Sequence, residues 1–86
     1  LVDNGQAATL LAGCKNSLVT GGIWRRNNTL AGKIFNHGVE AVNKIASCED
    51  TIVENIESSD NRGFGMWVDG QKNRRNTLRN NVIFGN

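Results

Sequence analysis

"NTLRNNVIFGN", residues Asn76 to Asn86, carries four Asn among its eleven residues, although β-strands generally avoid Asn. Leu78, Val82, Ile83 and Phe84 in the same stretch are strand-forming residues. The conflict resolves when the stretch is aligned with two earlier ones. "VTGGIWRRN" (Val19 to Asn27), "VENIESSDN" (Val53 to Asn61) and "LRNNVIFGN" (Leu78 to Asn86) each open on a branched apolar residue and close on Asn eight positions later. The terminal Asn residues are spaced by 34 and then 25 positions. Upstream the first two copies continue to match, with "LAGCKNSLV" (Leu11 to Val19) against "IASCEDTIV" (Ile45 to Val53). Ala12 then shares a column with Ala46, Cys14 with Cys48, and Ser17 with Thr51. Charge checks the same registers: Glu49, Asp50 and Glu54 fall on Arg74, Arg75 and Arg79 at the 25-residue shift, and Lys15 falls on Glu49 at the 34-residue shift.

A repeat of this length that returns in the same sense calls for parallel strands. Hairpins would run consecutive strands antiparallel through short turns. The leucine-rich frame L-x-x-L-x-L is missing, and Asn, Gly and β-branched residues argue against paired helices. A parallel β-helix accounts for the Asn, because every bend needs backbone shapes that Gly and Asn tolerate. When bends stack, their amides can hydrogen-bond along a common axis. The expected ladder is Asn27, Asn61 and Asn86. Gly21, Asn55 and Asn80 form a second expected bending column.

Composition limits the alternatives. A chain of 86 residues has room for one small domain, burying roughly 60% of its unfolded surface. The net charge of +2 gives no strong field toward nucleic acid or membrane. No apolar run approaches a membrane span, and no signal peptide is visible. Cys14 and Cys48 would lie within disulfide range in stacked strands, yet parallel Cβ vectors fit the required torsion poorly. Two stacked buried thiols are the expectation, which leaves the redox compartment open.

The segments "NSLVTGGIW", "CEDTIVENIESSDNRGFGMWVDG" and "NRRNTLRNNVIFGN" resemble right-handed parallel β-helix proteins of the pectin-lyase-like superfamily, with its polygalacturonase- and pectate-lyase-like coils. The resemblance covers about 10–86 and implies an all-β fold, a right-handed parallel β-helix of about 2.5–3 coils. The longer first spacing places an inserted loop at about 28–38. With no capping element after the third repeat, the expectation is a fragment of a longer β-helix, or a chain whose ends are covered by neighbouring coils of an oligomer.

The resemblance also implies an activity. Its members mostly act on acidic polysaccharides, as lyases using Lys or Arg with calcium or as hydrolases using paired aspartates. The polygalacturonase motifs Asn-Thr-Asp, Asp-Asp, Gly-His-Gly and Arg-Ile-Lys are all absent here. "NHG" (Asn36 to Gly38) departs at its first residue, and His37 reads as a polar surface residue, so no catalytic residue is assigned. No metal-ligand spacing is present, and calcium rests on the resemblance alone. The substrate-binding candidates are Trp67, whose alternation with Met66 and Val68 points it outward, and the Glu54/Arg79 column. Glu54 and Arg79 could flank a uronate, but their opposite signs equally fit a cross-strand ion pair. Trp67 could stack on a sugar ring, or cover a neighbouring coil or the long loop. The reading is a segment of a carbohydrate-active protein acting on or binding extracellular polysaccharide, secreted or at the cell surface by resemblance only. Its alternative is a non-catalytic adhesin, a tailspike-like stalk or a structural repeat.

Overall fold

The computed structural model describes residues 1–5, 7–29 and 43–86. Most of the expected inserted loop, with Phe35 and His37, lies outside the described residues. Seven strands follow in chain order: β1 (Thr9–Ala12), β2 (Leu18–Arg25), β3 (Asn43–Ala46), β4 (Ile52–Ser59), β5 (Trp67–Asp69), β6 (Thr77–Arg79) and β7 (Val82–Phe84). One sheet has the order β1-β3-β5, and the other has β2-β4-β6 with β7 on the second half of β4. Every pairing between strands is parallel. Val19 lies beside Val53 at the 34-residue offset, and Val53 beside Leu78 at the 25-residue offset.

The expected class, a right-handed β-helix of about 2.5–3 coils, is corrected. The described residues form two small parallel sheets, of three and four strands, with a Cα radius of gyration of 12.3 Å. The fold is all-β, but a compact body of short strands rather than a solenoid. The physical reason lies in what a repeat specifies. In-register pairing at fixed offsets is common to any parallel sheet, and does not by itself require an extended continuous winding.

Left-handed residues set the strand phase. Gly21, Asn55 and Asn80 have φ of 72°, 57° and 53°. In β4 the turn at Asn55 resets the two-residue alternation, so Val53 and Ile56 both face inward and are 1% exposed. At Asn80 the same turn separates β6 from β7. Asn tolerates this conformation better than other side-chain-bearing residues.

Trp24, Ile45, Cys48, Val53 and Ile56 form the core, with Ala8, Leu11, Cys14, Val19 and Met66 packed against it. Among the described residues that is five buried apolar side chains against seven buried polar ones: Asn27, Asn28, Asn43, Thr51, Ser58, Ser59 and Asn61. So small a core contributes on the order of 1.5–3 kcal/mol per fully buried large side chain. The buried amides therefore carry much of the specificity of the stacking.

Their geometry repeats. Asn61 Oδ1 accepts from Asn27 N at 2.9 Å and from Asn27 Nδ2 at 3.2 Å. Asn86 Oδ1 accepts from Asn61 N at 3.1 Å and from Asn61 Nδ2 at 2.8 Å. One step above, Asn27 Oδ1 accepts from Asn4 N at 3.0 Å and Asn4 Nδ2 at 2.8 Å. Each amide nitrogen also donates to a carbonyl on the next strand level, as Asn61 Nδ2 does to Trp24 O at 3.0 Å and Asn86 Nδ2 to Ser58 O at 3.0 Å. A backbone leaving the sheet at a bend loses its ladder partners, and one Asn side chain replaces both a donor and an acceptor.

The third strand level repeats this device at three more bends. Asn73, Asn76 and Asn81 accept through Oδ1 from the backbone N–H groups of Cys48, Thr51 and Ile56, at 2.9, 3.1 and 3.0 Å. Asn76 Nδ2 and Asn81 Nδ2 also donate upward, to Cys48 O and Val53 O at 2.9 and 3.0 Å, whereas Asn73 Nδ2 turns to Asp69 O and Gly70 O of its own level.

Candidate functional site

β1, β3 and β5 each end in a left-handed corner, at Gly13, Ser47 and Gly70, with φ of 65°, 54° and 97°. Three residues on, a second set of left-handed residues follows at Asn16 and Asp50, and Arg75 completes it, with φ of 49°, 49° and 52°. Between the two corners Lys15 bridges in parallel to Glu49, and Glu49 to Arg74. These short bridges are too brief to be strands, yet they bring three charged side chains into one column. Beside this column is an open groove of about 740 Å³, lined also by Gly13, Ser47, Gln71 and Lys72. At the β5 corner Gly70 lies close against Ser47, where a Cβ would sit 2.9 Å from Ser47 Oγ. Parallel neighbours are about 4.8 Å apart, so Lys15 and Arg74 sit roughly 10 Å from each other along the groove.

Charge in the groove is positive. Lys15, Lys72 and Arg74 face a single carboxylate, Glu49, whose oxygen lies 3.7 Å from Arg74 Nε. Elsewhere carboxylates are neutralised closely. Asp3 takes both Arg26 Nε and Nη2, at 2.7 and 2.8 Å, and Asp50 takes Arg75 likewise at 2.6 and 2.8 Å. Glu57 accepts from Arg25 and, at 2.7 Å, from Ser59 Oγ. Lys44 Nζ lies 2.6 Å from Asp69 Oδ2. After these pairs, Lys15, Arg62 and Lys72 are the cations without an ion-pair partner among the described residues. Two of the three line the groove.

The pairing shifts acidities. Hydrogen bonds from Arg26 and Arg75 hold the Asp3 and Asp50 carboxyls below the usual range. Glu57 is lowered first by Ser59 and then by Arg25, and Asp69 first by Lys44 and then by the Gly70 N–H. The Cys14 thiol is pushed up, chiefly by burial and then by Cys48. Cys14 N donates to Cys48 Sγ at 3.4 Å, and both thiols are free.

The residues nominated from sequence are placed as follows. Arg79 Nε contacts Glu54 Oε2 at 2.5 Å on the outer face of the four-stranded sheet, and Thr20 Oγ1 donates to Glu54 Oε1 at 3.3 Å. The Glu54 side chain is only 16% exposed, so its carboxylate is largely occupied within the protein. Trp67 lies on the other sheet, with Lys44 Nζ 4.8 Å above its ring and Phe64 edge-on at 5.7 Å. One Trp67 face is therefore already held by a cation. Trp67 is not brought together with Glu54 and Arg79.

Asn55 and Asn80 are exposed and act through backbone conformation, with Asn55 Nδ2 reaching only Thr20 Oγ1 at 3.4 Å. Asn27, Asn61 and Asn86 are joined by their side-chain amides. Sequence reasoning missed Asn4, Asn73, Asn76 and Asn81 as amide partners, and it missed the groove. The Lys15/Glu49/Arg74 column was visible in the repeat, but the contribution of the Gln71–Lys72 turn was not. Among the described residues no group of three or more His, Cys, Asp or Glu is gathered to hold a metal ion. No known family, curated protein or solved structure matches the chain.

Proposed function

We propose that this chain is part of a carbohydrate-active protein and binds an acidic extracellular polysaccharide through the groove of Lys15, Lys72 and Arg74. The observation that carries the reading is the concentration of unpaired cations in one concave surface, on a chain whose other described cations are mostly neutralised. Lys15 and Arg74 are spaced to meet carboxylates on successive parts of an extended polymer, and the Arg74 guanidinium can donate bidentately to one. Gln71 and Ser47 add hydrogen-bonding groups at the walls. Apart from Gly13 the lining residues are polar or charged, which suits a hydrated, anionic saccharide.

Binding is favoured over cleavage by the state of the acids. Of the described carboxylates, Asp3, Glu49, Asp50, Glu54, Glu57 and Asp69 each sit beside a cation, which leaves Asp60 alone without an ion pair. Glycoside hydrolysis instead uses two carboxyl groups facing the same bond, one of them free to take or give a proton. Trp67, Glu54 and Arg79 are not part of the proposed groove.

Calorimetric titration of the chain with oligogalacturonate and with a neutral cello-oligosaccharide tests the proposal. The acidic oligomer should bind, with affinity falling as salt rises. Lys15→Ala with Lys72→Ala should weaken binding by tenfold or more while the circular dichroism spectrum is retained. Equal binding of the neutral oligomer, or no loss in the double variant, would overturn it.

A further inference from the structure

At the corner before the Lys15/Glu49/Arg74 column, two of the three stacked levels carry a thiol where the third carries an amide. Cys48 N donates to Asn73 Oδ1 at 2.9 Å, the contact used at the other bends. One level up, Cys14 N donates to Cys48 Sγ instead, at 3.4 Å. Thiol sulfur is a weak acceptor, so this column gives up part of the hydrogen bonding that its neighbours keep. The two thiols are 34 residues apart in the chain and come together only in the stack.

The orientation of the sulfurs limits what they can hold. Cys14 Sγ points to Ala12 O at 3.9 Å and Cys48 Sγ to Ala46 O at 3.4 Å, in each case the carbonyl two residues back. Ala12 and Ala46 are register partners, so the two side chains are copies displaced by one strand step. Their sulfurs are therefore about 4.8 Å apart. A disulfide requires about 2.05 Å, and both thiols are free. Two metal–sulfur bonds of about 2.3 Å laid end to end span about 4.6 Å. The stack supplies that separation.

The surroundings select the ion. Beyond the sulfurs, the groups at hand are the carbonyl oxygens of Leu11, Ala12 and Ala46 and the apolar side chains of the core. Among the described residues no carboxylate or imidazole joins the pair to complete a four-coordinate site. Tetrahedral zinc and oxygen-seeking calcium are thereby disfavoured, whereas a soft d10 ion of single charge is satisfied by two thiolates. Cys48 is wholly buried and Cys14 half-buried, so the ion reaches the pair from the Cys14 side.

We infer that Cys14 and Cys48 bind one soft monovalent cation of the copper(I) class, in linear coordination between the first two strand levels. On binding, two S–H bonds break, both protons pass to solvent, and two metal–sulfur bonds form. No electron is transferred. The bridge stabilises the folded stack, because an unfolded chain does not hold its two cysteines together.

Silver(I) is the probe, since it shares this coordination preference and does not cycle between oxidation states. Calorimetric titration of the whole reduced chain should give one tightly bound ion, with two protons released, read from the heats in two buffers of different ionisation enthalpy. The melting temperature should rise in step with loading. Loss of even a supporting group around a metal costs 10–100-fold, so Cys14→Ser should weaken binding by about a hundredfold or more and cancel the thermal shift. Should Cys14→Ser fail to fold, the ion and proton counts of the unaltered chain decide alone. Two ions per chain, one proton per ion, or equally tight binding of zinc would overturn the inference. So would an intrachain disulfide formed readily with oxidised glutathione, because the sulfurs would then not be held a strand step apart. None of these outcomes bears on the polysaccharide groove, whose titration is separate.

Discussion

Replacing Asn61 with Leu keeps the branched four-atom side-chain skeleton and removes every amide contact at the centre of the stack. Asn61 is 5% exposed, and its oxygen is the acceptor for Asn27 N at 2.9 Å. Without it the buried Asn27 N–H is orphaned, at about 2 kcal/mol. Loss of the bonds to Trp24 O and Asn86 Oδ1, at 3.0 and 2.8 Å, removes about 1 kcal/mol each. The leucine's own burial offsets about 1 kcal/mol. The net destabilisation is then about 3 kcal/mol, or roughly 15 °C in melting temperature for a chain of this size. Thermal unfolding by circular dichroism reads it directly. Asn80→Gly is the contrasting variant: Asn80 is exposed with φ of 53°, so a residue at ease in that conformation should leave the melt nearly unchanged. A drop below about 3 °C in Asn61→Leu would show that the amide stack contributes little, since the estimate allows no such small value.

Two further outcomes are expected. The Asp3, Asp50, Glu57 and Asp69 carboxyls are all lowered in the folded chain. The unfolded state therefore binds more protons in acid, and the stability these groups confer is present above the ordinary carboxylate range and lost as pH falls through their depressed values. Melting curves should be flat from pH 7 to about 5 and decline below about 4, and a melt that rises on acidification would contradict the pairing. Exchanging the partners, Glu54→Arg with Arg79→Glu, should preserve the cross-strand contact and move stability by no more than roughly 1 kcal/mol. A large loss of polysaccharide binding in that exchanged chain would move the site from the groove to the four-stranded sheet.

Much of the stacking was legible because it is written as columns. Val19, Val53 and Leu78 have the same chemistry, and Glu54 and Arg79 have opposite charges, so one shift satisfies both apolar packing and ion pairing. Asn4 was not legible: it stands 23 positions before Asn27, a spacing that neither repeat displays. Asn73, Asn76 and Asn81 were hidden for another reason. Their partners one level up are Cys48, Thr51 and Ile56, so the columns are chemically mixed although the hydrogen bonds are equivalent. The fold class itself went beyond the pattern, because repeated parallel registers describe two small sheets as well as a longer winding. The groove depends on where a turn folds back, and the Gln71–Lys72 position relative to Ser47 is a tertiary fact. Trp67 does alternate outward, but Lys44, one level above, claims its ring.

Nuclear Overhauser spectroscopy on the isotopically labelled chain interrogates the stacking with least inference. Interstrand contacts should link Leu18 to Ile52, Ile52 to Thr77 and Ile45 to Val68, all in the pattern of parallel neighbours. Close α-proton pairs across strands, the mark of antiparallel pairing, or contacts displaced by a residue from these registers, would contradict the arrangement and every site built upon it.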